Sequence, residues 1–127
     1  MSAFKQITVK ELEVQIALGS LSDDMKVKLA YNPNTPKRVL TKLSRDENCN
    51  VRYYVARNPD TPKEVLKKLS KDEDWFVRGR VANNPNTPKE VLTILSEDKN
   101  AVIRYRVAKN PNTPKEVLKK LSKDKQL

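Results

Sequence analysis

The chain has 127 residues, a net charge of +10 at pH 7, a single cysteine and no histidine. One cysteine excludes an intramolecular disulfide. The shortage of cysteine and histidine also excludes a zinc site or an iron–sulfur cluster within one chain, together with Ser-His and Cys-His nucleophiles. Charged residues reach 33% and hydrophobic residues 37%, a balance that predicts a soluble protein with an affinity for polyanions at low salt.

Residues 1–24 form a segment that we interpret as a degenerate N-terminal capping repeat. Its start, MSAFKQITVKELE, has no long apolar run, so we predict no signal peptide and no transmembrane helix, and we expect a cytoplasmic protein. Thr8-Val9-Lys10-Glu11 has the form of a helix capping box, and Gly19 is placed to end the helix that follows. A divergent end repeat is expected where a stack must be capped.

Residues 25–127 repeat one pattern four times. The phrase NPNTPKEVL occurs at 84–92 and 110–118, with near copies from Asn32 and Asn58, and its threonine recurs every 26 residues. All eight prolines belong to this phrase. A fixed period of roughly 20 to 50 residues is typical of stacked repeats. We therefore predict four tandem repeats that form one continuous domain.

Each repeat contains a first short helix, the A helix. In the second repeat Val51, Tyr54 and Val55 follow helical spacing, and Asn58-Pro59 ends the helix because a residue before proline is pushed out of the α region. The A helix is predicted to have about two turns and to be either α or partly 3₁₀. The predicted N-cap residues are all of favoured types: Ser22, Asn48, Asp74 and Asn100.

A second helix, the B helix, follows the repeated phrase. Thr61-Pro62-Lys63-Glu64 predicts a start at which Thr61 is the N-cap, Pro62 is the first helical residue and Glu64 completes a capping box. The helix is predicted to run for about ten residues. Further boxes are predicted at Thr87/Glu90 and Thr113/Glu116, whereas Arg38 leaves the first one half made.

Helix pairs this short cannot bury an apolar face alone, but stacked pairs can. The predicted fold class is therefore all-α, an elongated α-solenoid of stacked short helix pairs.

The repeat resembles a known family. VRYYVARNPDTPKEVLKKLSKD is similar to the leucine-rich repeat variant pattern, and the similarity covers about residues 25 to 124. The resemblance implies a right-handed superhelix of the HEAT and armadillo type and a binding role. The repeat of 26 residues is longer than is usual in that family, and the cysteine cluster that some members carry is missing. No cofactor is therefore expected.

Two charged positions are the same in every copy, and we interpret them as structural. Asp46, Asp72, Asp98 and Asp124 recur after the B helices. Lys26, Arg52, Arg78 and Arg104 recur in the A helices. The aspartates are predicted to brace the turn after the B helix and to pair with the A-helix cation. The cation's stem is predicted to pack beside the core.

The outward face of the A helices differs from copy to copy and carries a basic and aromatic ladder. Residues 25–31, 51–57, 77–83 and 103–109 hold nine cations and no acid. Val27 and Gly79 interrupt the pattern. The ladder comprises Lys28, Tyr31, Tyr53, Tyr54, Arg57, Arg80, Tyr105, Arg106 and Lys109.

This ladder suits an extended polyanion, because successive layers of roughly 8–10 Å would present cations to a phosphate chain. Tyrosines can stack on bases and arginines can hold phosphates. The predicted function is a non-enzymatic scaffold for a polyanionic partner, either nucleic acid or an acidic protein segment.

Trp75 supports an alternative, because an exposed tryptophan is a common partner anchor. In that alternative the protein is a protein–protein adaptor with Trp75, Tyr53 and Tyr54 as anchors. A third and weaker hypothesis is a glycosylase that uses Asp74, Trp75 and Arg78. Packing within the A helix is the simpler interpretation of Trp75. Self-association through the end repeats stays open.

Overall fold

A computed structural model describes residues 7–127, and within that range the helices are joined by short loops and no strand occurs. The described helices are α1 (Val9–Ala17), α2 (Asp23–Tyr31), α3 (Lys37–Leu43), α4 (Cys49–Arg57), α5 (Lys63–Leu69), α6 (Trp75–Asn83), α7 (Lys89–Leu95), α8 (Ala101–Lys109) and α9 (Lys115–Leu121). The predicted all-α class is confirmed.

The helices form two layers. The A helices α2, α4, α6 and α8 pack one on the next, and each B helix packs on the A helix before it. The B helices α3, α5 and α7 also contact the A helix that follows, while α1 packs against α3. The predicted stacking of short helix pairs is therefore present in the described part of the chain.

The core lies between the layers. Val51 and Val55 of α4 and Leu66 of α5 are fully buried, and equivalent residues of the other pairs join them in one cluster. The A helices are α-helical over nine residues. The B helices have seven residues, which is shorter than the predicted ten, because Ser70 and its equivalents end them with a tight turn.

The predicted capping boxes of the B helices are wrong. The N-cap of α5 is Pro62, without any side-chain cap, and Thr61 Oγ1 donates instead to the carbonyl oxygen of Val55 at 2.5 Å. Val55 lies four residues before Pro59, which has no N–H to offer that carbonyl, so Thr61 provides a donor. The same bond replaces the predicted caps at Thr35, at Thr87/Glu90 and at Thr113/Glu116.

The asparagines that end α4, α6 and α8 join each of these repeats to the preceding one. Asn84 Nδ2 donates to the carbonyl oxygens of Ala56 at 2.9 Å and Asn58 at 3.2 Å, and its Oδ1 accepts from the N–H of Asn86 at 2.9 Å. Asn58 and Asn110 make the same bonds. A helix end leaves its last carbonyls without donors, and these amides supply one to the carbonyls of Ala30, Ala56 and Ala82. The asparagine carbonyls that they also reach accept a backbone N–H as well.

The predicted A-helix N-caps are confirmed in position. Ser22, Asn48 and Asn100 each accept a hydrogen bond from a backbone N–H of the first turn. Asp74 occupies the N-cap of α6 but makes no such bond, because its carboxylate accepts from Arg52 instead.

The first helix, α1, begins and ends as its sequence predicts. Thr8 and Glu11 form both bonds of a capping box. Gly19 adopts φ 70° just beyond the helix, a conformation that glycine reaches without steric cost.

Candidate polyanion-binding surface

Four of the nine A-helix cations are held by aspartates. Arg52 Nε lies 2.8 Å from Asp72 Oδ2, and its Nη1 donates to the carbonyl oxygen of Asp46 at 2.8 Å. The hydrogen bond that Arg52 donates to Asp72 raises the pKa of Arg52. The predicted pairing is confirmed in every repeat: Lys26 with Asp46, Arg52 with Asp72, Arg78 with Asp98, and Arg104 with Asp124.

The first three of these pairs also reach the start of the next A helix, where the aspartate accepts a backbone N–H. Asp72 follows α5, accepts from Arg52 of α4, and also accepts from the N–H of Asp74 at the start of α6. At the last pair the hydrogen bond from Arg104 holds the pKa of Asp124 below its usual value, and at the first pair Asp46 raises the pKa of Lys26. The recurrent aspartates therefore act as braces between layers.

The remaining five A-helix cations have no carboxylate partner. Throughout residues 7–127, none of them forms a salt bridge. They are Lys28 of α2, Arg57 of α4, Arg80 of α6, and Arg106 and Lys109 of α8. All five belong to the ladder, so the structure separates the cations that brace the stack from those that are free to meet an anion.

Three of these cations contact tyrosine rings. The guanidinium carbon of Arg57 lies 5.3 Å from the ring centre of Tyr31, and Lys109 Nζ lies 5.4 Å from that of Tyr105. Arg80 Nε donates to the hydroxyl of Tyr53 at 2.8 Å. Such contacts hold the cations at fixed positions without neutralising them.

The tyrosines differ in what they leave accessible. Tyr54 is half-buried, and its ring meets Tyr31 edge-on at 5.8 Å and Tyr53 at 5.0 Å. Tyr53 is also half-buried, between Tyr54 and Phe76. Tyr31 is 56% exposed and Tyr105 is 50% exposed. Only these last two tyrosines offer most of a ring face to a partner.

Gly79 belongs to the ladder surface, although in the sequence it interrupts the ladder pattern. A Cβ on Gly79 would lie 2.8 Å from Nη1 of Arg106, so the side chain of Arg106 from α8 crosses α6 where a side chain is missing. An isolated glycine inside a helical pattern is the sequence signal that points to such a close approach.

Trp75 is the first residue of α6. It is 47% exposed and meets the ring of Phe76 edge-on at 6.1 Å, while Phe76 packs against the core. The residues of the glycosylase hypothesis belong to different pairs, since Asp74 binds Arg52 and Arg78 binds Asp98. Of the three residues, Asp74 and Arg78 are engaged in these salt bridges and Trp75 is not.

Residues 7–127 bring together no group of three or more potential metal-ligating side chains. None of the helices there has both the length and the apolar character that crossing a bilayer requires. Cys49, at the start of α4, is half-buried and unpaired.

Comparisons with known proteins gave no match: no protein-family model fits the chain, and neither the curated proteins nor the solved structures include a similar one.

Proposed function

We propose that the protein is a non-enzymatic repeat scaffold that binds an extended polyanion along the ladder. In its more specific form, the proposal is that this polyanion is a nucleic acid. The proposal includes the architecture that the resemblance to leucine-rich repeat variants implies. In that architecture a right-handed α-solenoid of four repeats over residues 25–127 follows a capping repeat over residues 1–24.

One observation carries the proposal. Five cations on successive A helices have no carboxylate partner within residues 7–127, while the recurrent cations of the same helices are neutralised by aspartates. Packed helices are roughly 8–10 Å apart, so the unpaired cations follow the stack as a line. Release of counterions from a phosphate chain favours binding to such a line.

A competing explanation assigns these cations to helix stability. Arg57 and Lys109 lie in the last turns of α4 and α8. A cation there offsets the helix dipole by roughly 0.3–1 kcal/mol. That explanation predicts effects on folding only, so a binding measurement separates the two.

The test reverses the charge of the ladder. Labelled single-stranded RNA, single-stranded DNA and duplex DNA are titrated with the protein and with a triple variant that carries Arg57→Glu, Arg80→Glu and Arg106→Glu, at roughly 50 and 200 mM salt. The variant is expected to lose at least about tenfold in affinity, and the salt dependence of its binding should become shallower.

The matched control reverses three exposed cations of the B helices, Lys67, Lys89 and Lys115, none of which forms a salt bridge in the described range. Both triple variants lower the net charge by six, because each substitution replaces +1 by −1. If they lose affinity equally, binding depends on net charge alone and the ladder is not a site.

A second candidate function rests on Trp75. Its 47% exposure is high for a tryptophan on an otherwise packed helix, and exposed aromatic residues anchor protein partners. A protein–protein adaptor would use it in this way, whereas Tyr53 and Tyr54 are occupied by neighbouring rings. Trp75→Ala should then abolish capture of a specific partner, and a partner retained by that variant would argue against the anchor.

A further inference from the structure

A small surface pocket interrupts the ladder where the ends of α2 and α4 meet. Its volume is about 250 Å³. Its lining consists of Tyr31, Pro33, Tyr54, Arg57, Asn58 and Pro59. The pocket therefore lies between the C-terminal turns of two consecutive A helices and the loops that follow them.

The lining is mostly flat and apolar, with one cation. Two tyrosine rings meet edge-on at 5.8 Å, and two proline rings border them. Arg57 is the sole charged residue of the lining; its guanidinium lies 5.3 Å from the ring centre of Tyr31, and it has no carboxylate partner in the described chain. Aromatic faces beside a free guanidinium suit a planar ring attached to an anion.

The amide group of Asn58, the one side-chain amide of the lining, is already engaged within the protein. Asn58 donates from Nδ2 to the carbonyl oxygens of Ala30 and Asn32, and its Oδ1 accepts from the N–H of Asp60. A ring in the pocket would therefore be recognised by stacking and shape, without a side-chain amide to read its edge. Recognition of that kind is tolerant of sequence.

No other junction of A helices repeats the pocket's two rings. One repeat further on, Arg57 and Asn83 replace the pair Tyr31 and Arg57, and Arg80 replaces Tyr54. The ladder thus has several cations but one junction at which two tyrosines converge. A uniformly basic surface does not explain why two tyrosine rings converge at this junction.

The volume of the pocket limits the size of the group that it can hold. Sites for drug-sized ligands have roughly 300–1,000 Å³, so 250 Å³ suits one flat ring system. A base inside a duplex is stacked and paired, and its faces are hidden from such a pocket. A single strand can present an unstacked base at no such cost.

We infer that this pocket takes one unstacked base of a single-stranded nucleic acid whose phosphates follow the unpaired cations. The inference rests on the proposed function and adds the class of polyanion, single-stranded rather than double-stranded. Arg57 would contact the phosphate beside the captured base, and Tyr31, as the more exposed ring, would contribute most of the stacking surface.

The experiment compares ligands of equal charge with and without bases. The probes are a fluorescent oligothymidylate and an abasic oligomer of the same length, with inorganic polyphosphate and an acidic peptide that contains a tyrosine as competitors. The proteins are the full chain, Tyr31→Ala and Tyr31→Phe, and each is checked for unchanged thermal unfolding. Tyr31 is chosen because its exposure makes truncation tolerable for folding.

The full chain is expected to bind the oligothymidylate about tenfold more tightly than the abasic oligomer, the magnitude of one stacked base. Tyr31→Ala should bind both at the abasic level, and Tyr31→Phe, which keeps the ring, should retain the preference.

The outcomes separate the two proposals. If the full chain binds both oligomers alike, or if Tyr31→Ala keeps the preference, the pocket inference is overturned while polyanion binding stands. If neither oligomer nor polyphosphate binds at roughly 200 mM salt, the proposed function itself fails. If an acidic peptide with a tyrosine binds more tightly than the oligothymidylate, and through Tyr31, the pocket belongs to a protein partner and the inference is overturned.

Discussion

Replacing Asn84 by alanine should destabilise the stack more than its small change in volume suggests. The side chain is 3% exposed and makes three hydrogen bonds, to the carbonyl oxygens of Ala56 and Asn58 and from the N–H of Asn86. Ala56 belongs to the previous A helix. The variant therefore removes a link between two repeats and leaves the carbonyl group of Ala56 without a donor.

The expected cost follows from those bonds. A typical hydrogen bond contributes about 0.5–1.5 kcal/mol net, and a buried group left unsatisfied costs about 1–3 kcal/mol. The carbonyl of Asn58 retains a bond from the N–H of Thr61, so the penalty falls mainly on Ala56. We expect the free energy of unfolding to fall by about 2–4 kcal/mol.

The assay is equilibrium unfolding in urea followed by far-ultraviolet circular dichroism. The matched control is Asn83→Ala, the same substitution one residue earlier at an exposed position, which should change the free energy of unfolding by less than about 0.5 kcal/mol. A loss below about 1 kcal/mol for Asn84→Ala, or losses of equal size for the two variants, would refute the reasoning.

The variant Asn84→Asp should have a stability that depends on pH, because it places a carboxyl group among the same hydrogen-bond partners. The new carboxylate would face two carbonyl oxygens in place of the amide donor, so its pKa in the folded state should rise above the ordinary value of about 3.9. A group with a raised folded-state pKa stabilises the fold at low pH and loses that contribution as pH rises through the raised value. The variant should therefore be less stable than Asn84→Ala at neutral pH and should recover in acid.

Three further predictions concern other contacts. Thr87→Val keeps the shape of a fully buried residue but removes its 2.6 Å hydrogen bond to the preceding A helix, so unfolding free energy should fall by about 1–2 kcal/mol in the same urea assay. Gly79→Ala should be neutral or stabilising by up to about 1 kcal/mol in thermal unfolding, because alanine favours the helix and the flexible end of Arg106 can move; a large loss would show that Arg106 is rigid. Because Arg104 lowers the pKa of Asp124, that pair stabilises the fold above the usual aspartate range and stops doing so as pH falls through the lowered value. Asp124→Asn should thus lower the melting temperature at pH 7 but not in strong acid.

The positions of the helices could be predicted because local chemistry decides them. Proline after Asn58 ends α4, and Asn48 begins it, wherever the helix then packs. The pairing of Arg52 with Asp72 was also predictable, since the two residues recur together and a half-buried cation needs a partner. Recurrence within one chain marks the positions that serve packing.

The capping boxes show where local chemistry misleads. Thr61 and Glu64 have the spacing of a box, yet the hydroxyl of Thr61 turns back to Val55 because Pro59 has removed the donor that this carbonyl would otherwise have. A pattern read along one helix start cannot weigh a carbonyl from the helix before it. Thr8, by contrast, forms both bonds of its box with Glu11.

The sequence by itself determined the helical elements, the recurrence of one pattern every 26 residues and the concentration of cations on the A helices. These features depend on residue type and on spacing along the chain. Only the tertiary structure decided which tyrosines are covered and where the rings converge, since both depend on neighbours in other repeats. It left Arg57 without a carboxylate partner among residues 7–127 and set Tyr31 and Tyr54 around one pocket. Charge belongs to the residue, but its availability to a partner belongs to the packing around it.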